Sequence, residues 1–250
     1  SCSINPLTSL DISNNSSITH LAVSNSQLTA LDISQNPQLN HLSCGYNSIS
    51  SLDFSNNLNL SEILCSGNQI SSLDLSNNTS LTDLFCGNNQ ISTLSLANNS
   101  SLEELSLINN NLSGLDIRNG NNANLSYINT TGNPNLNCIS VDDATWAILN
   151  WTGSSFKFDS HTIFSNDCDA KTYVPDDNFE TYLETHDVNG NVVAIADVNS
   201  MGDGIANNDS VTTASISGVT SLDVNNQNIV DLTGIEDFLG LTSLSCQEYQ

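Results

Sequence analysis

Basic residues are scarce in this chain. Only three of its 250 residues are Lys or Arg, whereas 27 are Asp or Glu, and the formal net charge is −24. Proteins recognise nucleic acids and anionic membrane surfaces largely through Lys and Arg. The composition therefore argues against both as partners of this protein.

Long apolar runs and familiar catalytic motifs are missing as well. The sequence contains no stretch of about 18 apolar residues that could span a bilayer, and it does not start with a basic-then-apolar leader. It has no G-x-S-x-G or H-E-x-x-H motif, and His161 and His186 have no nucleophile motif beside them. We therefore expect a protein that neither inserts into a membrane nor acts as an enzyme.

A repeat of 21 residues dominates the first half of the sequence. One slot of an L-x-x-L-x-(C/L) phrase recurs at this spacing, and a second phrase, L-x-x-L-D-(L/I/F), lies between successive copies. The residues in the recurring slot are Cys2, Val23, Cys44, Cys65, Cys86 and Leu107. Such periodicity is the signature of a solenoid. Each phrase predicts one short strand and each Asn-rich stretch a tight turn, so we expect a mainly β solenoid with two strands per coil.

These phrases resemble leucine-rich repeats of the nested 21-residue bacterial class. Residues 81–96 closely match the class pattern L-x-x-L-x-L-x-x-N-x-L-x-x-L-D-L, departing with Ser95 where Asp is usual, and residues 223–244 resemble the internalin-like subclass. Residues 174–179 and the segment 138–168 are similar to parts of secreted surface proteins of the Bacteroidetes, which often leave the cell by type IX secretion. The resemblance implies a secreted or cell-surface protein used in adhesion or recognition.

Changes in composition divide the chain into four segments. We expect a repeat array over 1–136, a cap over 137–170, a helical and loop N-cap over 171–215, and the start of a second array over 216–250. The cap holds both tryptophans and three phenylalanines, which favours a lid on the solenoid core; an aromatic sugar-binding platform is the alternative. Both ends fall within a repeat, so we also expect the sequence to be a piece of a longer chain of alternating arrays and caps.

The cysteines of the repeat slot are predicted to be reduced. Cys44, Cys65 and Cys86 occupy a position that Val23 and Leu107 fill in other coils. They therefore resemble small buried hydrophobic residues, with a metal site as the alternative.

The cysteines outside the repeat are predicted to form a disulfide. Cys138 and Cys168 bracket the aromatic segment, and a bridge closing a loop of about 30 residues contributes about 3–4 kcal/mol in the chain-entropy model. A disulfide indicates an oxidising, extracellular setting.

Stacked coils bring every twenty-first residue to about 5 Å from its counterpart, the spacing of strands in a sheet. The predicted binding surface is one such column: His20, His41, Glu62, Asp83, Glu104 and Tyr127. A transition metal shared by the two histidines is an alternative, although two ligands alone make a poor site.

A second column is almost wholly acidic. Its members are Asp11, Asp32, Asp53, Asp74, Ser95 and Asp116. Neighbouring carboxylates at this spacing repel each other by about 0.8 kcal/mol even in water. Hydrogen bonds from turn amides or hydroxyls would offset this repulsion, and a row of bound cations is the alternative.

A Gly-containing loop is the predicted metal site. Its oxygen-bearing residues alternate as in calcium loops, and the proposed ligands are Asp197, Asn199, Asp203, Asn207 and Asp209. Met201 stands where an acidic ligand would be expected, and the terminal Glu of an EF-hand is missing. Calcium is thus the one cofactor that the sequence suggests.

The sequence as a whole predicts a scaffold that binds a protein or glycan through its repeat surface. A structural link in a long surface stalk or self-assembling fibre, made of further copies or modules and with no separate ligand, is the alternative. The identity of a ligand does not follow from these patterns, because the family mostly supplies scaffolds.

Overall fold

The computed structural model describes residues 1–247 and forms two compact units that divide between Asn166 and Asp167. The division falls close to the predicted boundary at residue 170. The finer division into four segments stays a prediction, and residues 248–250 of the second array lie outside the described residues.

Unit 1 is a solenoid of short parallel strands. Its strands are β1 (His20–Ala22), β2 (His41–Ser43), β3 (Glu62–Leu64), β4 (Asp83–Phe85), β5 (Thr93–Ser95), β6 (Glu104–Ser106), β7 (Gly114–Asp116), β8 (Tyr127–Asn129), β9 (Cys138–Ser140), β10 (Phe156–Lys157) and β11 (Ile163–Ser165). Seven of them form one parallel sheet, β1-β2-β3-β4-β6-β8-β10, and four form a second, β11-β9-β7-β5. The expected mainly β leucine-rich-repeat solenoid is confirmed.

The second strand of each coil is present only in the later coils. From Thr93 onward both half-turns carry strands, whereas within residues 1–92 only the first half-turn does. Asn side chains connect those earlier coils on the second side. Asn57, for example, donates from Nδ2 to the carbonyl oxygens of Ile33 and Asn36 at 3.0 and 2.9 Å. Side-chain amides link the coils there without requiring a backbone ladder.

Strand period and burial explain the core of unit 1. In β1 to β9 the middle residue of each strand is buried while its neighbours point outward, as in Leu42 of β2 and Ile63 of β3, because side chains alternate across a strand. The cysteine slot follows each strand and is also buried. Stacking therefore produces one continuous apolar core along the coils.

The prediction of reduced ladder cysteines is wrong for two of the three. Cys65 and Cys86 form a disulfide across adjacent coils, with Cα atoms 4.9 Å apart. Coil stacking itself sets this distance, which lies within the range that a disulfide requires. Cys44 remains a free, fully buried thiol, and burial raises its pKa to about 12.

Two Asn ladders hold the turns, and one of them consists of Asn36, Asn57, Asn78 and Asn99, each of which donates to carbonyls of the preceding coil. In the ladder formed by Asn47, Asn68, Asn89, Asn110 and Asn133, each side chain bonds backbone groups of its own coil and of the preceding one. Asn68 donates to the carbonyls of Cys44 and Cys65 and accepts the amide of Ile49. These side chains satisfy buried polar groups, so their role is structural.

The end of unit 1 closes the solenoid. Strands β10 and β11 add one strand to each sheet, and helix α1 (Ala144–Asn150) begins at the Asp143 cap, which accepts the amide of Trp146. The buried Trp151 ring packs against the rings of Trp146 and Phe164, and Phe156 and Phe158 stack on it. The aromatic residues therefore fill the core of a cap, as expected of a terminal repeat.

Unit 2 has its own core. It comprises β12 (Lys171–Tyr173), helix α2 (Asp177–Thr185), β13 (Ser210–Thr212), helix α3 (Thr213–Ser217), β14 (Ser221–Asp223) and β15 (Ser243–Ser245). Strands β12 and β13 are antiparallel, and β14 and β15 pair in parallel as adjacent coils of a second repeat. Helix α2 begins after the Asp176 cap and buries Phe179 and Leu183, and it lies within the segment 171–215 for which helical and loop structure is predicted. No helix within residues 1–247 has the length and hydropathy needed to cross a bilayer.

Candidate binding face

The predicted column lies on one face of the seven-stranded sheet. Its six residues are the first residues of consecutive strands, and each pairs in register with the next: His20, His41, Glu62, Asp83, Glu104 and Tyr127. The middle residue of every strand points into the core. The column therefore points away from the core, and its side chains are exposed or half-buried.

The histidine end of the column is joined to the acidic part. The rings of His20 and His41 stack with centroids 5.7 Å apart, and Nδ1 of His41 lies 2.5 Å from Oε2 of Glu62. Within the described residues, these three side chains do not form a group of metal-ligand atoms mutually within 4.8 Å. Glu62 is therefore not positioned as a third ligand for a metal shared by the two histidines.

An aromatic pair lies beside the acidic residues. The third residue of each strand shares the face with the column, and at this position β4 carries Phe85 and β6 carries Ser106. Phe85 stacks with Tyr127 across β6, with ring centroids 6.2 Å apart and planes inclined by 17°. Ser106 is buried. Sequence reasoning missed Phe85, although its place two residues after Asp83 puts it on the same face.

The acidic column is held by turn hydrogen bonds. Asp11, Asp32, Asp53 and Asp74 each accept the backbone amide of the serine two residues later, at 2.9–3.0 Å. These serine hydrogen bonds hold the pKa of each carboxyl below its usual value. Asp116 accepts the amide of Arg118 and also forms an ion pair with it at 2.8 Å. These are the turn hydrogen bonds that would offset the repulsion between neighbouring carboxylates. Binding of a row of cations, the alternative, stays untested.

The residues of the predicted calcium loop have protein partners. Asp197 accepts the amide and the side chain of Asn199, and Oδ2 of Asp203 receives Nζ of Lys171 at 3.2 Å. These bonds to Asp203, together with that from Asn208, hold its pKa low although burial alone would raise it. Asn207 and Asp209 have positive φ angles of 56° and 57°, which asparagine and aspartate tolerate.

Only Asp209 of the predicted ligands belongs to a compact acidic group. Within residues 1–247, the group whose ligand atoms all lie within 4.8 Å of one another consists of Asp177, Glu180 and Asp209. Both carboxylate oxygens of Glu180 already accept backbone amides, from Asn208 and Asp209. The five predicted ligands are thus not gathered around one point, and calcium binding stays a prediction.

Two glutamates of α2 that the sequence reasoning missed hold this loop. Glu180 and Glu184 are fully buried; Glu180 accepts the two amides named above, and Glu184 accepts those of Asp203 and Gly204. Burial raises the pKa of Glu184. Their spacing of four residues puts both on the same helix face, and this spacing was the signal in the sequence that could have identified them as a pair. Their burial could not be predicted in this way, because it depends on the position of the loop.

Comparison with known proteins places the fold. No protein-family model matches this sequence, and no curated protein matches it. A leucine-rich-repeat protein of Leptospira interrogans is similar over 56% of this chain, with a TM-score of 0.50 and 24% identity. The functional domain of InlJ from Listeria monocytogenes, described as including a cysteine ladder, matches 96% of this chain with a TM-score of 0.42 and 21% identity. An internalin of the same species, InlF, matches 96% with a TM-score of 0.42 and 19% identity.

These similarities concern fold and not ligand. This chain spans 37% of the Leptospira protein, 46% of the InlJ structure and 78% of the InlF structure. At 24% identity, the Leptospira match shows a leucine-rich-repeat fold over about half of this chain.

Proposed function

We propose that this protein is a secreted or cell-surface recognition scaffold that binds a protein or glycan partner on the outer face of its seven-stranded sheet. The observation that carries the proposal is the in-register column from His20 to Tyr127. Its charged and aromatic side chains vary from strand to strand, whereas the buried Asn ladders repeat one residue. Repetition is expected of structural positions, and a varied, accessible row is typical of a recognition surface.

The extracellular location is supported by cysteine chemistry. Cys65 and Cys86 are bridged, and Cys138 and Cys168 are both disulfide-bonded. Disulfides persist mainly in oxidising compartments. From the resemblance to secreted surface proteins of the Bacteroidetes, we also propose that the protein leaves the cell by type IX secretion.

Matched variants test the proposal on a panel of purified extracellular proteins and a glycan array. The face variant is Ser43→Arg with Asp83→Arg, and its control on the other side of the coil is Ser95→Arg with Asp74→Arg. Both change the net charge equally. We expect the face variant to weaken binding by at least about tenfold and the control by less than about twofold. Equal losses, or no loss with the face variant, would contradict a ligand on this face.

A structural link in a stalk or fibre is the second candidate. One observation favours it: Ile148 and Leu149 on α1 are 60% and 71% exposed, and a neighbouring copy could cover this apolar pair. Sedimentation velocity over a range of concentrations tests it. Association that the double change Ile148→Lys and Leu149→Lys abolishes would support the link, and a monomer at every concentration would oppose it.

A further inference from the structure

We infer that the binding face recognises a basic segment of a protein partner, with an arginine side chain seated against Glu104, Phe85 and Tyr127. This inference rests on the proposed function and names the chemistry of its partner. A site of this kind combines a free carboxylate, an aromatic surface and a surrounding negative charge, and the face holds all three.

The strand order brings the carboxylate and the rings together. Strand β6 lies between β4 and β8, so Glu104 has Asp83 on one side and Tyr127 on the other. The rings of Phe85 and Tyr127 meet diagonally across β6, with centroids 6.2 Å apart. Asn129 donates from Nδ2 to the Tyr127 hydroxyl oxygen at 3.3 Å. Glu104 therefore stands next to an aromatic pair whose orientation is set by its neighbours.

Glu104 is the available acceptor in the acidic part of the face. Glu62 is engaged by His41 at 2.5 Å, and Oδ2 of Asp83 accepts the hydroxyl of Thr82 at 2.5 Å. Within the described residues, the Glu104 carboxylate has no hydrogen-bond or ionic partner. Glu103, exposed beside it, adds to the negative potential. A cation approaching this point meets several carboxylates, and among the three of the column, Glu62, Asp83 and Glu104, only that of Glu104 has no partner within the described residues.

Arginine fits the site better than lysine for geometric reasons. The planar guanidinium group can stack on an aromatic face and direct two N–H groups at one carboxylate. Lysine presents a compact, strongly hydrated ammonium group without this planar fork. An acidic or neutral glycan supplies no cation for Glu104, so the charge favours a basic protein segment.

A second copy of this chain is poorly equipped to provide that cation. Arg118 is paired with Asp116 at 2.8 Å and Lys171 with Asp203 at 3.2 Å. The remaining base, Lys157, lies in β10 at the end of this same sheet, in register with Asn129 of β8. Because the one arginine within the 250 residues is already paired, a different protein is the better source of the arginine that this site prefers.

The first experiment measures peptide binding to the full chain by calorimetry. The probes are three peptides on one Gly/Ser background that carry arginine, lysine or the neutral isostere citrulline. We expect the arginine peptide to bind at least about threefold more tightly than the lysine peptide, and the citrulline peptide to bind weakest. Equal binding of all three would overturn the inference.

Variants then locate the site. Glu104→Gln removes one charge at the proposed site, and Asp53→Asn removes one from the acidic column on the other side of the coil, where the asparagine carbonyl can still accept the Ser55 amide. We expect Glu104→Gln to weaken the arginine peptide by about tenfold and Asp53→Asn by less than about twofold. Tyr127→Leu should reduce the preference for arginine over lysine. Equal effects of the two charge changes would mean diffuse attraction and overturn the site.

A competition measurement separates this inference from the proposed function. If a panel protein binds the face, as judged by loss with the Ser43→Arg and Asp83→Arg variant, but the arginine peptide fails to displace it, the inference is wrong while the proposed function stands. If no panel member depends on the face, the proposed function fails as well. Unchanged circular dichroism and Tm for each variant would show that the fold is intact.

Discussion

The repeat array and the smaller unit bury turn backbone with different side chains. In the array, neutral asparagines such as Asn68 donate to two carbonyls and accept one amide. In unit 2, the carboxylates of Asp176, Glu180 and Glu184 accept backbone amides, from loops and, for Asp176, also from the first turn of α2. An amide side chain has both donors and acceptors, and a carboxylate has acceptors alone.

Repetition accounts for the difference. An asparagine within the ladder has identical neighbours about 5 Å away in the adjacent coils, so a buried carboxylate ladder would accumulate like charges in a medium of low dielectric. Neutral amides can be stacked without that cost. The glutamates of unit 2 have no such repeat and can each serve a single loop. The aspartate column obeys the same rule, because its members are mostly exposed to water.

The largest effect is expected from placing a carboxylate, the group that unit 2 uses, in the Asn ladder of the array. Asn68→Asp removes two donors and buries a charge next to two carbonyls, so we expect a loss of about 4 kcal/mol in the free energy of unfolding at neutral pH. The measurement is denaturant unfolding. Gln69→Glu, an exposed neighbour with the same change in charge, serves as control and should cost less than about 0.5 kcal/mol. A similar loss in both variants would refute the ladder argument.

The next largest effect is expected from removing the disulfide that joins two adjacent coils. Cys86→Val removes the bridge to Cys65 while keeping a side chain that already fills this slot at Val23, and we expect a loss of about 3 kcal/mol. Cys44→Val, which breaks no bridge, should change stability by less than about 1.5 kcal/mol. Thiol-selective mass mapping of the native protein should find Cys65 bonded to Cys86, and Cys138 to Cys168. A free Cys138 would contradict the predicted bridge of the cap.

The reverse exchange, an amide in unit 2, should have a smaller effect. Glu180→Gln keeps one acceptor but places an NH2 group against an amide of Asn208 or Asp209, and we expect a loss of about 2 kcal/mol. The exposed Asp177→Asn change on the same helix is the matched control, and its loss of a favourable helix-dipole contact should cost no more than about 1 kcal/mol. Amide hydrogen exchange at residues 208 and 209 should accelerate only in Glu180→Gln.

The pKa shifts of Asp53 in the array and of Glu184 in unit 2 should have opposite signs. Hydrogen bonds from the hydroxyl and the amide of Ser55 lower the pKa of Asp53 below its usual value of 3.8. Asp53 therefore stabilises the fold above pH 3.8, and this stabilisation is lost as the pH falls through the pKa of Asp53 in the folded protein. The pKa of Glu184 is raised by burial, so its contribution is present below 4.5 and is lost as the pH rises through the folded value. Carboxyl NMR titration reads both; Glu184 titrating below Asp53 would contradict the assignment.

Calcium should have the smallest effect. A cation at the loop containing Asp197 and Asp209 would compete with the bond between Asp203 and Lys171, so we expect weak binding in the millimolar range. Calorimetry on the full chain, with Asp203→Asn as the comparison, measures it. Absence of heat together with an unchanged Tm after chelation would remove calcium from consideration.

Regular features could be predicted from the sequence, while contacts outside the repeat could not. The 21-residue period placed the column from His20 to Tyr127 on one face, and the Asn turns and the start of α2 after Asp176 follow from local signals. The pairing of Phe85 with Tyr127 was missed because the two occupy different slots of the coil. The loop amides on Glu180 and Glu184 were missed because the loop is 19 to 29 residues away in sequence.

The sequence by itself determined the solenoid, its coil length and which side chains share a column, because strand period and stacking distance are local properties that repetition carries through the chain. The tertiary structure alone decided what happens within each column. It decided that Cys65 joins Cys86 while Cys44 stays free, that Glu104 lies beside two rings, and that a loop covers the acidic face of α2. Those outcomes depend on how neighbouring side chains pack against one another, and a repeating pattern of residue types does not contain that information.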